Sequence, residues 1–186
     1  MSAEGLLKTI VSQLERAGIP FMLTGSMAAA VHGAGRATLD IDLVIEPTAN
    51  QLHTFVLSLE GRDHYVSNDA AQEALKHESM FNVVDTHSGW KADFIIRKSR
   101  RFSETEFARR QSIVFEGMQL WVATLEDLIV AKLEWSRLGG SHRQLEDVAS
   151  LLRVAGESFD IGYVRHWVEV LDLRTQWEAA SSAGEQ

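Results

Sequence analysis

Residues 23–43 read Leu-Thr-Gly-Ser-Met-Ala-Ala-Ala-Val-His-Gly-Ala-Gly-Arg-Ala-Thr-Leu-Asp-Ile-Asp-Leu, and the end of this segment constrains the chain most. Asp40 and Asp42 alternate with Leu39, Ile41 and Leu43, which is the period of a strand. That period puts both carboxylates on one face, about 6–7 Å apart along the chain. Carboxylates this close repel unless a cation neutralises them, and hard oxygen ligands suit Mg²⁺ or Mn²⁺. Thirteen residues before the pair, Gly25-Ser26 closes an apolar run. A small-residue turn beside a paired-carboxylate strand can hold a phosphate and its metal together.

The chain has 186 residues, enough for one domain or for a domain with a helical appendage. It has no cysteine, which excludes disulfides and thiolate metal sites. The first residues lack a basic stretch followed by an apolar one, and no apolar run reaches the length of a membrane span, so a cytoplasmic protein without a membrane partner is expected. A net charge of −8 argues against a general nucleic-acid coat protein. One local exception runs from Arg97 to Arg110, where Arg97, Lys98, Arg100, Arg101, Arg109 and Arg110 face only Glu104 and Glu106. This cluster is either a solvated loop and helix face or a local contact for a phosphate backbone.

Apolar spacing predicts a helix over 4–17 that ends at Gly18, then a short strand over 21–23. A helix over 27–31 and the aspartate strand over 37–45 follow, then a helix over 47–59. Residues 61–68 read as loop, and Asp69 could cap a helix through His77. Strands over 81–86 and 90–97 form a hairpin at Ser88-Gly89, and strands over 113–115 and 119–122 form another at Glu116-Gly117. From Thr124 the pattern is helical, over 124–137, 145–154 and 161–171, and the small polar tail 179–186 is expected to fray. The order implies a catalytic part over 1–123 and a helical region over 124–186 packed on it, in an α/β (α+β) fold with a mixed sheet flanked by helices.

Asp93 lies within the strand Trp90-Lys91-Ala92-Asp93-Phe94-Ile95-Ile96, where a carboxylate is disfavoured without a reason. It is either a third metal ligand or general base, or an edge-strand aspartate facing solvent and paired with Lys91 or Arg97. Ser26 reads as a helix N-cap, a phosphate contact, or both at once. Arg36 could stabilise charge on a transferred phosphate or form a surface ion pair. The histidines His32, His64, His77, His87 and His142 show no paired metal-ligand spacing. Trp121, Trp135, Trp167 and Trp177 read as packing residues.

Gly25-Ser26, then Asp40-Ile41-Asp42-Leu43, then Asp93 on a later strand resembles the nucleotidyltransferase (polymerase beta-like) superfamily. Arg36-Ala37-Thr38 before the pair resembles the Arg-x-Thr/Ser-x-Asp-x-Asp version in bacterial members. The resemblance covers roughly residues 20–96 and implies a nucleotidyltransferase-like fold. It implies that Gly25 and Ser26 contact the triphosphate of an incoming nucleotide, that Asp40 and Asp42 hold two Mg²⁺ (or Mn²⁺) ions, and that Asp93 shares a metal or activates the acceptor hydroxyl. A lone Asp-x-Asp would also suit a metal-dependent glycosyltransferase.

Further along, Lys132 on a helix is followed by Arg143-Gln144-Leu145-Glu146-Asp147. This is similar to the helical half of AbiEii-type toxin nucleotidyltransferases, although the commoner form has Lys-Asp where this chain has Glu146-Asp147. By that resemblance Lys132 touches nucleotide phosphates and Asp147 supports the site. Otherwise Lys132 lies on a solvated helix face and Asp147 pairs with Arg143 one turn away.

The reading is a metal-dependent nucleotidyltransferase that moves a nucleoside monophosphate from an NTP to an acceptor hydroxyl. The acceptor is RNA (tRNA) or protein if the chain is a toxin with a cognate antitoxin. It is a small molecule of the antibiotic type if the acidic charge serves to draw in a cation. A non-catalytic nucleotide- or partner-binding module of the same fold is the third alternative.

Overall fold

The structure is a computed structural model and describes residues 3–35, 38, 40–61, 63–115 and 117–184. The chain begins with α1 (Ala3–Arg16), whose Leu6, Leu7, Ile10, Val11 and Leu14 form the buried stripe that the sequence spacing predicts. It ends in a turn where Gly18 takes a φ of +65°. Fully buried β1 (Phe21–Thr24) leads straight into α2 (Gly25–Val31), and β2 (Asp40–Ile45) carries the aspartate pair. A capping box between Thr48 and Gln51 starts α3 (Ala49–Leu59).

Next come β3 (His64–Val66), α4 (Asn68–His77), β4 (Met80–Asp85) and β5 (Lys91–Ile96). The tight β4–β5 connection is held by Asp85, whose Oδ1 accepts from the backbone N–H groups of His87 and Ser88 and from the Ser88 hydroxyl. The second half contains α5 (Arg101–Arg109), β6 (Gln111–Phe115), β7 (Met118–Val122), α6 (Leu125–Gly139), α7 (His142–Val154), α8 (Ile161–Val170) and α9 (Arg174–Gly184).

The described strands form one seven-stranded mixed sheet in the order β3-β4-β5-β2-β1-β7-β6. Its centre is decisive for the site. β2 pairs antiparallel with β1 on one side and parallel with β5 on the other. A single apolar core runs from Leu6 on α1 to Ala180 on α9, so α6 to α9 close over the same core as the sheet.

Several expectations change. Residues 64–66 form an edge strand, not loop. β3 pairs with β4 through its backbone while its side chains stay largely outside the core, so no apolar alternation announces it. Ser67, not Asp69, caps α4, accepting from the Ala70 N–H at 3.2 Å. The tail is helical to Gly184 because small residues let α9 pack closely, with Ala180 fully buried. Trp121 and Trp135 stand partly exposed, unlike Trp167, which packs edge-on against Phe102.

Candidate active site

The parallel pairing of β2 and β5 sets Asp40 opposite Lys91 and Asp42 opposite Asp93. Alternate residues of a strand share a face, so these four side chains project together from one side of the sheet. Adjacent strands lie about 4.8 Å apart, which makes the four a compact square with carboxylates at three corners and an ammonium at the fourth. Asp93 is therefore not on an edge. β5 lies between β4 and β2, and Asp93 is only 7% exposed. The expected pairing with Lys91 does form, at 2.9 Å from Lys91 Nζ to Asp93 Oδ2, and the same ammonium lies 3.8 Å from Asp40 Oδ1. The other oxygen, Asp93 Oδ1, is buried and accepts no hydrogen bond from the described residues.

Gly25 meets this square from the end of β1. It takes a φ of +65°, and a Cβ there would fall 1.9 Å from Asp42 Oδ2. Only glycine lets the backbone approach the carboxylate this closely. Thr24 is the residue before α2 and lies opposite Asp42 on β1, so Ser26 sits inside the first turn instead of capping it. Thr38 shapes the entry to β2, its Oγ1 accepting from the Asp40 N–H at 3.1 Å. Arg36 lies outside the described residues.

The opposite wall comes from α6 and α7. Lys132 is buried, not solvated, and its Nζ donates to Asp147 Oδ2 at 2.7 Å and to Gln144 Oε1 at 3.2 Å. Asp147 thus pairs across two helices with Lys132. A buried ammonium needs a paired carboxylate, and none is available to Lys132 on its own helix face. Arg143 lines the same cleft as Lys132. The cleft measures about 710 Å³ and brings Gly25, Ser26, Thr38, the three aspartates and Lys132 together, with Met80 and Trp135 among its apolar lining. Sequence reasoning missed Trp135 as a lining residue, although it stands one helical turn from Lys132; it is 44% exposed.

Electrostatics mark the square as strained in its bare state. Burial, then the charges of Asp93 and Asp40, push the Asp42 carboxyl up to about 6, against the pull of Lys132 and Lys91. The hydrogen bond to Asp93 holds the Lys91 ammonium above its ordinary range. Among the described residues no three carboxylate or imidazole groups enclose a metal ion by themselves. The donor set nonetheless suits Mg²⁺ or Mn²⁺, which bind through one or two carboxylates and complete their shell with water or phosphate oxygens. The unpartnered Asp93 Oδ1 and the crowded Asp42 are the atoms that such an ion would satisfy.

Four of the six basic residues after β5 are engaged by protein groups, while Arg101 is exposed. Arg97 donates to Glu46 at 2.9 and 2.6 Å, Arg100 grips Glu134 through both of its terminal nitrogens, and Arg109 Nε donates to Asp127 Oδ2 at 3.0 Å. Arg110 stacks over Phe107 and Trp121 at 4.3 and 5.0 Å. Asp127 is fully buried and also accepts from Thr124 Oγ1 and Tyr163 Oη, which ties the start of α6 to α5 and α8. These pairings anchor the helix that carries Lys132.

Solved structures share the fold over most of the chain. An antigenic nucleotidyltransferase-like protein from Paracoccidioides brasiliensis superposes with a TM-score of 0.60 at 16% identity, over 96% of this chain and 94% of that one. The antibiotic-resistance factor ANT(2'')-Ia superposes with a TM-score of 0.55 at 17% identity, over 97% and 94%. The fold is nucleotidyltransferase-like. The lincosamide antibiotic adenylyltransferase LnuA, solved with lincomycin, shares this nucleotidyltransferase-like fold with a TM-score of 0.54 at 11% identity, over 83% of this chain and 99% of that one. No protein-family model and no curated protein matches the chain. Among the described residues no helix is long and apolar enough to cross a membrane.

Proposed function

We propose that the chain transfers a nucleoside monophosphate from a nucleoside triphosphate to a hydroxyl of a small acceptor molecule. The observation that carries this reading is the convergence of Asp40, Asp42 and Asp93 with Gly25 on one wall of the cleft and Lys132 on the other. Asp40, Asp42 and Asp93 are the residues to hold Mg²⁺ or Mn²⁺. Such an ion, when bound, offsets charge on the reacting phosphate and lowers the pKa of the acceptor. Gly25 and Ser26 present backbone to the triphosphate, and Lys132 offers it a cation that Asp147 and Gln144 hold in place. Arg36 is assigned a supporting role at the transferred phosphate. The acceptor oxygen forms the new bond to the α-phosphorus while the bond to pyrophosphate breaks. Asp93, with one oxygen unpartnered, takes the acceptor proton.

A small acceptor is favoured because most of the arginines between 97 and 110 are committed to Glu46, Glu134, Asp127 and aromatic rings. That removes the feature that pointed to a nucleic-acid acceptor. Two proteins of similar fold are antibiotic-modifying by name, which agrees with this choice. A second reading, a toxin that modifies RNA or protein and is restrained by an antitoxin, is supported by the Lys132–Asp147 pair with Arg143 beside it.

Incubation with each α-³²P-labelled nucleoside triphosphate, Mg²⁺ and panels of aminoglycosides, lincosamides and tRNA tests the proposal. Label is expected on a small molecule, with Asp93→Asn slowing transfer at least a hundredfold. Absence of transfer in every pairing, together with Asp40→Ala binding metal as the unaltered chain does, sinks it. Growth arrest on induced expression favours the toxin reading, and raised drug tolerance without arrest favours the small acceptor.

A further inference from the structure

The fourth corner of the square is a lysine, and its position follows from the register of β2 and β5. Lys91 stands beside Asp40 across the strand pair and two residues before Asp93 on its own strand. Its Nζ reaches both neighbours, at 3.8 Å to Asp40 Oδ1 and 2.9 Å to Asp93 Oδ2. Among the described residues the cleft has two other cations on its opposite wall, Arg143 and Lys132, and the Lys132 ammonium is held by Asp147 and Gln144. Three carboxylates and one ammonium leave a net charge of two minus, which a single divalent ion balances. A second divalent ion beside Lys91 would overshoot that balance and meet the ammonium at close range.

We propose that Lys91 permanently fills one of the two cation places in the aspartate square, so that the protein by itself takes one divalent ion, on the side of Asp42. This rests on the reading of Asp40, Asp42 and Asp93 as metal ligands and departs from the two-ion arrangement that the sequence resemblance implies. Asp93 divides its oxygens accordingly. Oδ2 is tied to Lys91, and Oδ1 has no hydrogen-bond partner among the described residues. Lys91 is thus a positioning residue that sets both the metal count and the direction in which Asp93 points.

Counting Mn²⁺ on the purified full chain by electron paramagnetic resonance, with metal alone, tests this apart from any turnover. One Mn²⁺ per chain is expected for the unaltered protein and for Lys91→Arg, and two for Lys91→Met. Two ions on the unaltered protein, lost in Asp42→Asn, would overturn the role of Lys91 while leaving the metal reading intact. A count that stays at one in Lys91→Met overturns it as well. No Mn²⁺ on the unaltered protein overturns both. Should Lys91→Met fail to fold, the counts on the unaltered chain and on Lys91→Arg still decide.

Discussion

Gly25 and Asp42 approach each other so closely that a Cβ on Gly25 would lie 1.9 Å from Asp42 Oδ2. The contact joins the end of β1 to the middle of β2 at the point where the cleft opens, and the positive φ of Gly25 turns the chain into α2 there. Gly25→Ala has no relaxed solution, because both the backbone angle and the carboxylate oppose the added methyl. The expected loss of stability is about 2–3 kcal/mol, from left-handed strain and overpacking together. Denaturant unfolding measures it. The same variant should bind Mn²⁺ at least tenfold more weakly, since Asp42 must move to admit the methyl.

Asp42 also sets a pH dependence. Its carboxyl is raised from 3.8 to about 6, by burial first and then by Asp93 and Asp40. A folded-state pKa above the unfolded one means that the folded state binds the proton more tightly. The metal-free protein therefore gains stability below about pH 4 and loses it as pH rises through 6, by about 2–3 kcal/mol. Asp42→Asn should flatten that slope in urea titrations from pH 4 to pH 7. Metal competes with the same proton, so Mn²⁺ affinity should climb up to about pH 6 and level off above it.

The aspartate strand, the Gly25-Ser26 turn and the strand of Asp93 are legible in the sequence because each depends on local period and local residue type. What the sequence withholds is register. Nothing in residues 37–45 or 90–97 states that β2 and β5 lie side by side with Asp42 opposite Asp93, nor that Lys91 falls beside Asp40. Long-range pairing is likewise hidden in the arginine segment, whose partners Glu46, Asp127 and Glu134 lie tens of residues away. β3 is missed for a different reason, since an edge strand of three residues buries too little to leave a pattern.

Lys132 and Asp147 form a pair that neither helix could hold alone. The carboxylate on α7 neutralises the ammonium on α6, so removing one partner strands the other in a buried setting. Lys132→Met and Asp147→Leu are each expected to cost about 3 kcal/mol. The double variant should cost clearly less than the two together, which a double-mutant cycle by denaturant unfolding reads directly. Equal and additive losses would show that the pair does not couple α6 to α7. Nucleotide binding separates the roles: Lys132→Met should weaken it even in conditions where the variant is fully folded.

Glu106 lies outside the proposed chemistry and gives the clearest test of the surrounding packing. It sits on α5, in a small recess of about 50 Å³ beside the cleft, with Arg100 nearby but engaged by Glu134. Burial, then the charge of Asp127, pushes its carboxyl from 4.5 up to about 8. The side chain is therefore protonated in the folded state at pH 7, and a neutral amide of the same shape should replace it with little change. The raised pKa contributes stability that is fully present below about pH 4.5 and lost as pH rises through 8, by up to about 5 kcal/mol. Glu106→Gln should match the unaltered protein in urea unfolding at low pH and exceed it by a few kcal/mol at pH 9. A variant less stable than the unaltered protein at pH 9 would mean that the ionised carboxylate has a favourable partner, with Arg100 the first to examine.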